Sequence, residues 1–286
     1  MLIAALLALQ VQAPLLEIRS NGNWQAWRDA APRSAATREP VLRTAITWTD
    51  SAPGLRSGSF EVRAAEGHLR NSMAIIELDP ARFRFGLGLA PPDARRTAED
   101  WLASDSTLVL TANTGLFREN GTPQGIVLID GTRHSALAGW LDAVVVIENG
   151  SLRITDVEHA RTLPAGSSSF QTLPWLVRDG RVAFGATSGL KLSKTHRDRR
   201  ITLCLGEDGT VRLLLSNFEV FGATAGRVPI GLTIPEQAAL AAGVGCRDAV
   251  ALDGGISSQI AFRAGSRTVR MPGWRKVPVM LLVRAR

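Results

Sequence analysis

The chain predicts an α+β fold, read as a single mixed domain with a largely antiparallel sheet and a few packed helices. Three observations lead there. Short β-like runs are joined by Asn149-Gly150, Asp179-Gly180 and Asp208-Gly209, pairs that supply the positive backbone angles hairpin turns need. The best helix, TIPEQAALAAGVG from Thr233 to Gly245, has an N-cap threonine, a glutamate three residues later and terminating glycines. No repeat, low-complexity tract or linker divides the 286 residues, and 45% hydrophobic content suits a substantial core.

Along the chain, the apolar run Leu2 to Leu9 is too short to span a bilayer and is followed by Val11-Gln12-Ala13, which fits signal-peptidase cleavage. Residues 1–13 are therefore expected to be a signal peptide, with a buried N-terminal segment as the alternative. Residues 14–40 are expected to form a loosely held lead-in, because 20–40 are rich in Arg, Ala, Pro and Ser without periodicity. Residues 41–286 are then the functional domain. The runs SFEVRA, MAIIEL and RFRFGLGL read as strands, with Asp79-Pro80 breaking the second from the third. TAEDWLA (97–103) reads as a short helix capped by Thr97, with Asp100 in its first turn, and STLVLTAN as the strand after it. No later window is apolar for long enough to be a transmembrane helix, so the expected localisation is periplasmic or secreted.

The formal charge of +7 is carried by arginine, with Lys191, Lys194 and Lys276 the only lysines. The arginines are scattered, and no zinc-finger, helix-turn-helix or RNA-binding signature accompanies them, so no nucleic-acid partner is expected. A basic surface suits an anionic envelope or an acidic substrate. Cys204 and Cys246 make neither a disulfide framework nor a metal spacing, leaving a single bridge open. His68, His134, His159 and His196 are far apart and show no HExxH spacing, which argues against a histidine zinc site.

The segment DAVALDGGISS (248–258) holds the most chemistry. Ala249 to Leu252 reads as a strand buried on both faces, with Asp253 at its end. Gly254 and Gly255 permit close approach of a ligand to the main chain, and their N–H groups could serve an anion. If the strand restarts at Ser257, alternation places Ser257 and Gln259 on one face and Ser258, Ile260 and Phe262 on the other, which makes Ser257 the displayed hydroxyl. The competing reading is a tight turn whose Asp caps neighbouring amides. There is no G-x-S-x-G elbow, Walker sequence or dinucleotide fingerprint.

With its preceding helix, this segment resembles the C-terminal signature of the phosphodiester glycosidase family. Three more blocks are similar in the same order: TANTGLFRENGTPQGIVLIDG, SSFQTLPWLVRDG and RRITLCLGEDG. The resemblance covers about residues 60–285 in scattered blocks. It retains Asn113, Gln171, Arg200, Glu236, Asp253, Ser257 and Ser258, whereas Thr114, Leu173, Cys204 and Ile256 stand where the family has glycines, Leu116 replaces an aromatic and Ile201 a threonine.

The resemblance implies hydrolysis of a sugar joined through its anomeric carbon to a phosphodiester, on a phosphorylated glycan or other glycosyl phosphodiester. Asp253 and Glu236 would be catalytic; Asn113, Gln171, Arg200, Gly254, Gly255, Ser257 and Ser258 would bind substrate. The transition state of such a reaction is oxocarbenium-like, and a departing phosphate needs an anion site more than a strong acid. Each residue also has a purely structural reading. Glu236 completes a capping box with Thr233, Arg200 belongs to a solvated HRDRR run, and Asn113 or Gln171 satisfies loop amides. Asp253 could also ligate a hard cation such as calcium, although no EF-hand spacing is present. A non-catalytic module for anionic glycans and a metal-assisted phosphodiesterase are the rival functions.

Overall fold

The computed structural model describes residues 16–27, 40–64, 70–183, 193–218 and 231–286. The first described elements are a hairpin of β1 (Leu16–Ser20) and β2 (Asn23–Trp27), helix α1 (Pro40–Ala45), and the strands β3 (Thr47–Ala52), β4 (Leu55–Ala64) and β5 (Arg70–Leu78). β6 (Phe83–Leu89), helix α2 (Ala98–Ser104) and β7 (Leu108–Asn113) follow. Next come β8 (Val127–Ile129), β9 (Thr132–Ser135), β10 (Ala143–Glu148), β11 (Ser151–Thr155) and β12 (Ser168–Thr172). The last third carries β13 (Trp175–Arg178), β14 (Arg181–Val182), β15 (Ile201–Gly206), β16 (Val211–Phe218) and helix α3 (Ile234–Gly243). It closes with β17 (Cys246–Ala251), β18 (Ile260–Ala264), β19 (Arg267–Met271) and β20 (Val279–Ala285).

These strands make three sheets. The largest has ten strands, in the order β14-β13-β17-β15-β16-β5-β4-β1-β2 with β3 also on β4; two five-stranded sheets run β11-β10-β12-β8-β9 and β19-β18-β7-β20-β6. Period-two alternation sends the two faces of the large sheet into different cores. In β16, Leu213 and Leu215 join Phe85, Leu110, Val145, Phe170 and Leu281 from the smaller sheets, while Leu214 faces the other way with Ile75 of β5 and Ala238 and Leu240 of α3. Helix α3 is short but almost wholly buried, so its stability comes from this packing rather than from length.

Local signals hold well. Asn149-Gly150, Asp179-Gly180 and Asp208-Gly209 join β10 to β11, β13 to β14 and β15 to β16, with Asn149 and Asp179 at φ 51° and 49°. Both helix starts close as reciprocal capping boxes, Thr97 with Asp100 and Thr233 with Glu236. Cys204 and Cys246 form a disulfide across β15 and β17, with Cα atoms 5.5 Å apart.

Two expectations need correction. The fold is largely β, with three short α-helices among the described residues, so α+β holds only loosely; most apolar runs are strand-length. The segment 14–40 is not uniformly a lead-in, because β1 pairs with both β2 and β4. Leu16, Ile18 and Trp27 are buried in the core beneath α3; so short an apolar run gives little periodicity to read. The expected signal peptide and residues 28–39 lie outside the described residues. Among those described, no helix is long and apolar enough to cross a membrane.

Candidate active site

Thr202 of β15 pairs with Ala251 of β17, so the residues just before β15 and just after β17 lie at the same end of the sheet. The chain leaving β17 is held closely there. Leu252 N–H donates to Ile201 O (3.0 Å), Asp253 N–H to Thr114 O (2.8 Å) and Gly255 N–H to Arg199 O (2.8 Å). Asn113 Nδ2 donates to Asp253 O (2.8 Å), and Asn113 Oδ1 accepts from Gln259 N–H (2.9 Å). Gly255 sits at φ +61°, and a Cβ there would lie 3.0 Å from Asp198 Oδ2. The positive φ favours glycine, and a Cβ would press on the Asp198 carboxylate as well.

The strand does not restart at Ser257. Gly255–Ser257 is a 3₁₀ turn, and β18 begins at Ile260, so alternation cannot be extrapolated across the bend. Ser257 is buried, and its hydroxyl lies near enough to the Asp253 carboxyl to favour that group's ionised form. Ser258 is fully buried and donates weakly to Arg199 O and Asp253 O, both at 3.4 Å.

Burial pushes the Asp253 carboxyl up to about 7 from 3.8, against the Ser257 hydrogen bond and the charge of Arg275, with the Asp198 charge adding to the rise. Asp198 is itself raised by burial, which outweighs the Arg199 N–H at 2.8 Å and the charges of Arg200 and His196. Two carboxylates thus share one end of the sheet with shifts in the same direction. Arg200 is lowered by burial and supported by Asp198 and Glu236. Its Nε donates to Leu232 O (3.0 Å) and Nη2 to His196 O (2.9 Å). Nη1 would stand 3.9 Å from a Cβ on Gly254. Among the described residues neither the Gly254 N–H nor Arg200 Nη1 has a hydrogen-bond partner, and groups of these two kinds can donate to an anion. The Gly255 amide, expected to share that duty, is committed to Arg199 O.

The remaining predicted residues support the site from further back. Glu236 is buried, accepts from the Thr233 amide (2.9 Å) and binds Arg197 through both oxygens (2.7 and 2.8 Å). It is thereby engaged at the start of α3. Gln171 is saturated by main chain: Oε1 accepts from Ile126 and Ala138 amides (both 2.8 Å), and Nε2 donates to Ala138 O (2.9 Å) and Leu141 O (3.3 Å). Asn113 clamps the Asp253 turn to Gln259. Sequence reasoning missed Asp198 and Arg275. The only local sign of Asp198 was its place two residues before Arg200 in a charged run. Among the described residues, no group of three or more His, Cys, Asp or Glu side chains is placed to hold a metal ion.

The phosphodiester glycosidase family profile matches residues 106–284. The catalytic domain of zebrafish N-acetylglucosamine-1-phosphodiester alpha-N-acetylglucosaminidase, auto-inhibited by its pro-peptide, superposes with a TM-score of 0.65 at 16% identity, covering 90% of this chain and 96% of that one. A hypothetical protein from Synechocystis gives 0.59 at 14% identity, covering 95% and 68%. These structures establish likeness of fold. A search of curated proteins finds no match. Because the family profile takes in more than half of the chain, including the whole turn that carries Asp253, this chain belongs to the phosphodiester glycosidase family of glycosidase-type hydrolases.

Proposed function

We propose that the protein releases a sugar from a glycosyl phosphodiester by cleaving the bond between the anomeric carbon and the phosphate oxygen. The observation that carries this reading is Asp253, which follows the last residue of β17 with its carboxyl raised by burial to about 7, in reach of Asp198, Ser257 and Arg275, while Arg200 acts on Asp198. A carboxyl poised near 7 exchanges protons at neutral pH. In its ionised form Asp253 takes the proton of an attacking water, with Ser257 fixing its orientation. The water oxygen bonds to the anomeric carbon, and the electron pair of the breaking bond passes to the phosphate oxygen. Arg200 Nη1 and Gly254 N–H receive the departing phosphate, which is already a stable anion and needs little protonation. The Asp198 carboxylate stabilises the positive charge that develops on the sugar.

Export to the periplasm or beyond, and action on an envelope or extracellular polysaccharide, complete the proposal. The Cys204–Cys246 bridge supports export, since disulfides persist in oxidising compartments. The expected signal segment also supports it. The test is sugar release from glycosyl 1-phosphodiesters in water enriched in oxygen-18. Label in the sugar is the expected outcome. Label in the phosphate means P–O cleavage and overturns this route, and glycan binding without turnover favours the non-catalytic reading.

A further inference from the structure

Beside the Asp253 turn, an open groove of about 1020 Å³ runs between the start of α2 and the loop 272–276. Arg95, Arg96 and Trp101 line one wall, and Trp274, Arg275 and Lys276 the other. The groove is built onto the catalytic turn. Trp274 and Arg275 N–H both donate to Ile256 O (2.8 and 3.1 Å). Buried Gln259 braces both walls at once, donating from Nε2 to Arg275 O (2.8 Å) and accepting at Oε1 from Ala98 N–H (2.6 Å). Arg275 belongs to both places, lining the groove while its charge acts on Asp253.

We propose that this groove binds the portion of a phosphodiester-linked glycan that lies beyond the scissile phosphate. The inference rests on the phosphodiester reading of the Asp253 site and adds where the rest of the substrate goes. Four cations line the groove against the carboxylates of Asp93 and Asp100, and Asp100 is engaged in capping α2. Arg96 stacks on Trp101 at 4.9 Å and Arg95 holds Glu119 O, whereas Lys276 is exposed with no ion pair among the described residues. An acidic chain therefore finds a net positive track in which the Lys276 ammonium is exposed and acts on Asp100 only through its charge. Trp274 is 53% exposed and Ile256 38%. An indole left in water beside a catalytic turn offers an apolar face to the C–H face of a sugar ring. Ile256 stands next to it, where the family pattern has glycine. An apolar platform beside cations suits a polymer that carries both sugars and phosphates.

The experiment uses a mannan carrying mannosyl phosphodiesters, the same mannan stripped of phosphate, and dextran sulfate, with Asp253→Asn to prevent turnover during binding. The phosphorylated mannan binds, the neutral one does not, and Trp274→Ala and Lys276→Ala each weaken binding about tenfold with unchanged thermal stability. Trp274→Phe recovers most of the affinity. With a methyl ester of a sugar 1-phosphate, which carries no polymer to lie along Trp274 and Lys276, kcat/KM of both alanine variants equals that of the parent. Undiminished mannan binding by the alanine variants, equal binding of neutral mannan, or binding of dextran sulfate that matches the phosphorylated mannan and ignores Trp274 overturns the proposal. If no sugar is ever released but the binding pattern holds, the hydrolytic reading fails and the groove assignment stands.

Discussion

Replacing Asp253 with asparagine separates the role of this group from its cost to the fold. The Asp253 carboxyl rises from 3.8 to about 7 in the folded protein, so between about pH 4 and pH 7 the folded state binds more protons than the unfolded one. Stability therefore falls as pH rises through that window, and the deficit stays in full above it. A rise of about three units at about 1.4 kcal/mol each gives roughly 4 kcal/mol, and relaxation with water entry brings the expected penalty nearer 2 kcal/mol. Asparagine keeps the shape and an oxygen for the Ser257 hydroxyl but carries no charge. Asp253→Asn is expected to be about 2 kcal/mol more stable than the parent at pH 8 and about equal at pH 4, measured by urea unfolding with the disulfide intact. Sugar release falls by about a thousandfold, the scale of a lost general base. An asparagine variant that is less stable at pH 8, by the same margin as at pH 4, refutes the argument that this carboxylate is held against its own hydration.

Asp198→Asn removes the charge that helps raise Asp253, so the acid limb of the kcat/KM profile moves to lower pH; an unmoved limb places Asp198 too far away to matter. Glu236→Gln loses charge from the Arg197 pair and the α3 cap, with an expected loss of about 2 kcal/mol in urea unfolding and kcat per folded molecule within about threefold of the parent. A collapse of kcat with stability intact returns Glu236 to the catalytic role the family resemblance implies. Changing Cys204 and Cys246 together to serine opens a bridge between positions 42 apart in sequence and is expected to cost about 2–4 kcal/mol by chemical denaturation.

What the sequence made legible was local. The capping boxes at Thr97 and Thr233 and the Asn149-Gly150 and Asp179-Gly180 turns are each decided within four residues, and each formed as read. Asp253 could be singled out because a lone acid before two glycines is unusual at a strand end. The family pattern named Asn113, Gln171 and Glu236, but their partners are far away in the chain: Asn113 meets Gln259, Gln171 meets Ile126 and Ala138, and Glu236 meets Arg197. Whether a polar side chain faces substrate or main chain depends on such partners, which spacing does not reveal. Asp198 was hidden for the same reason. Its significance arises from lying against Gly255, 57 positions later in sequence, and within HRDRR it looks like any solvated charge. β1 and β2 escaped notice because five-residue strands beside a tract rich in Arg, Ala and Pro carry little pattern of their own.

The crowded glycine at position 255 constrains how relatives of this protein can diverge. A side chain there takes a backbone angle most residues disfavour and presses on the Asp198 carboxylate, so change at that position carries a structural cost. Its neighbour at 256 projects into solvent and already carries an isoleucine. Under the proposed function, new preferences for the attached polymer are thus accessible at 256, and a mutant library confined to that one codon is an economical way to look for them.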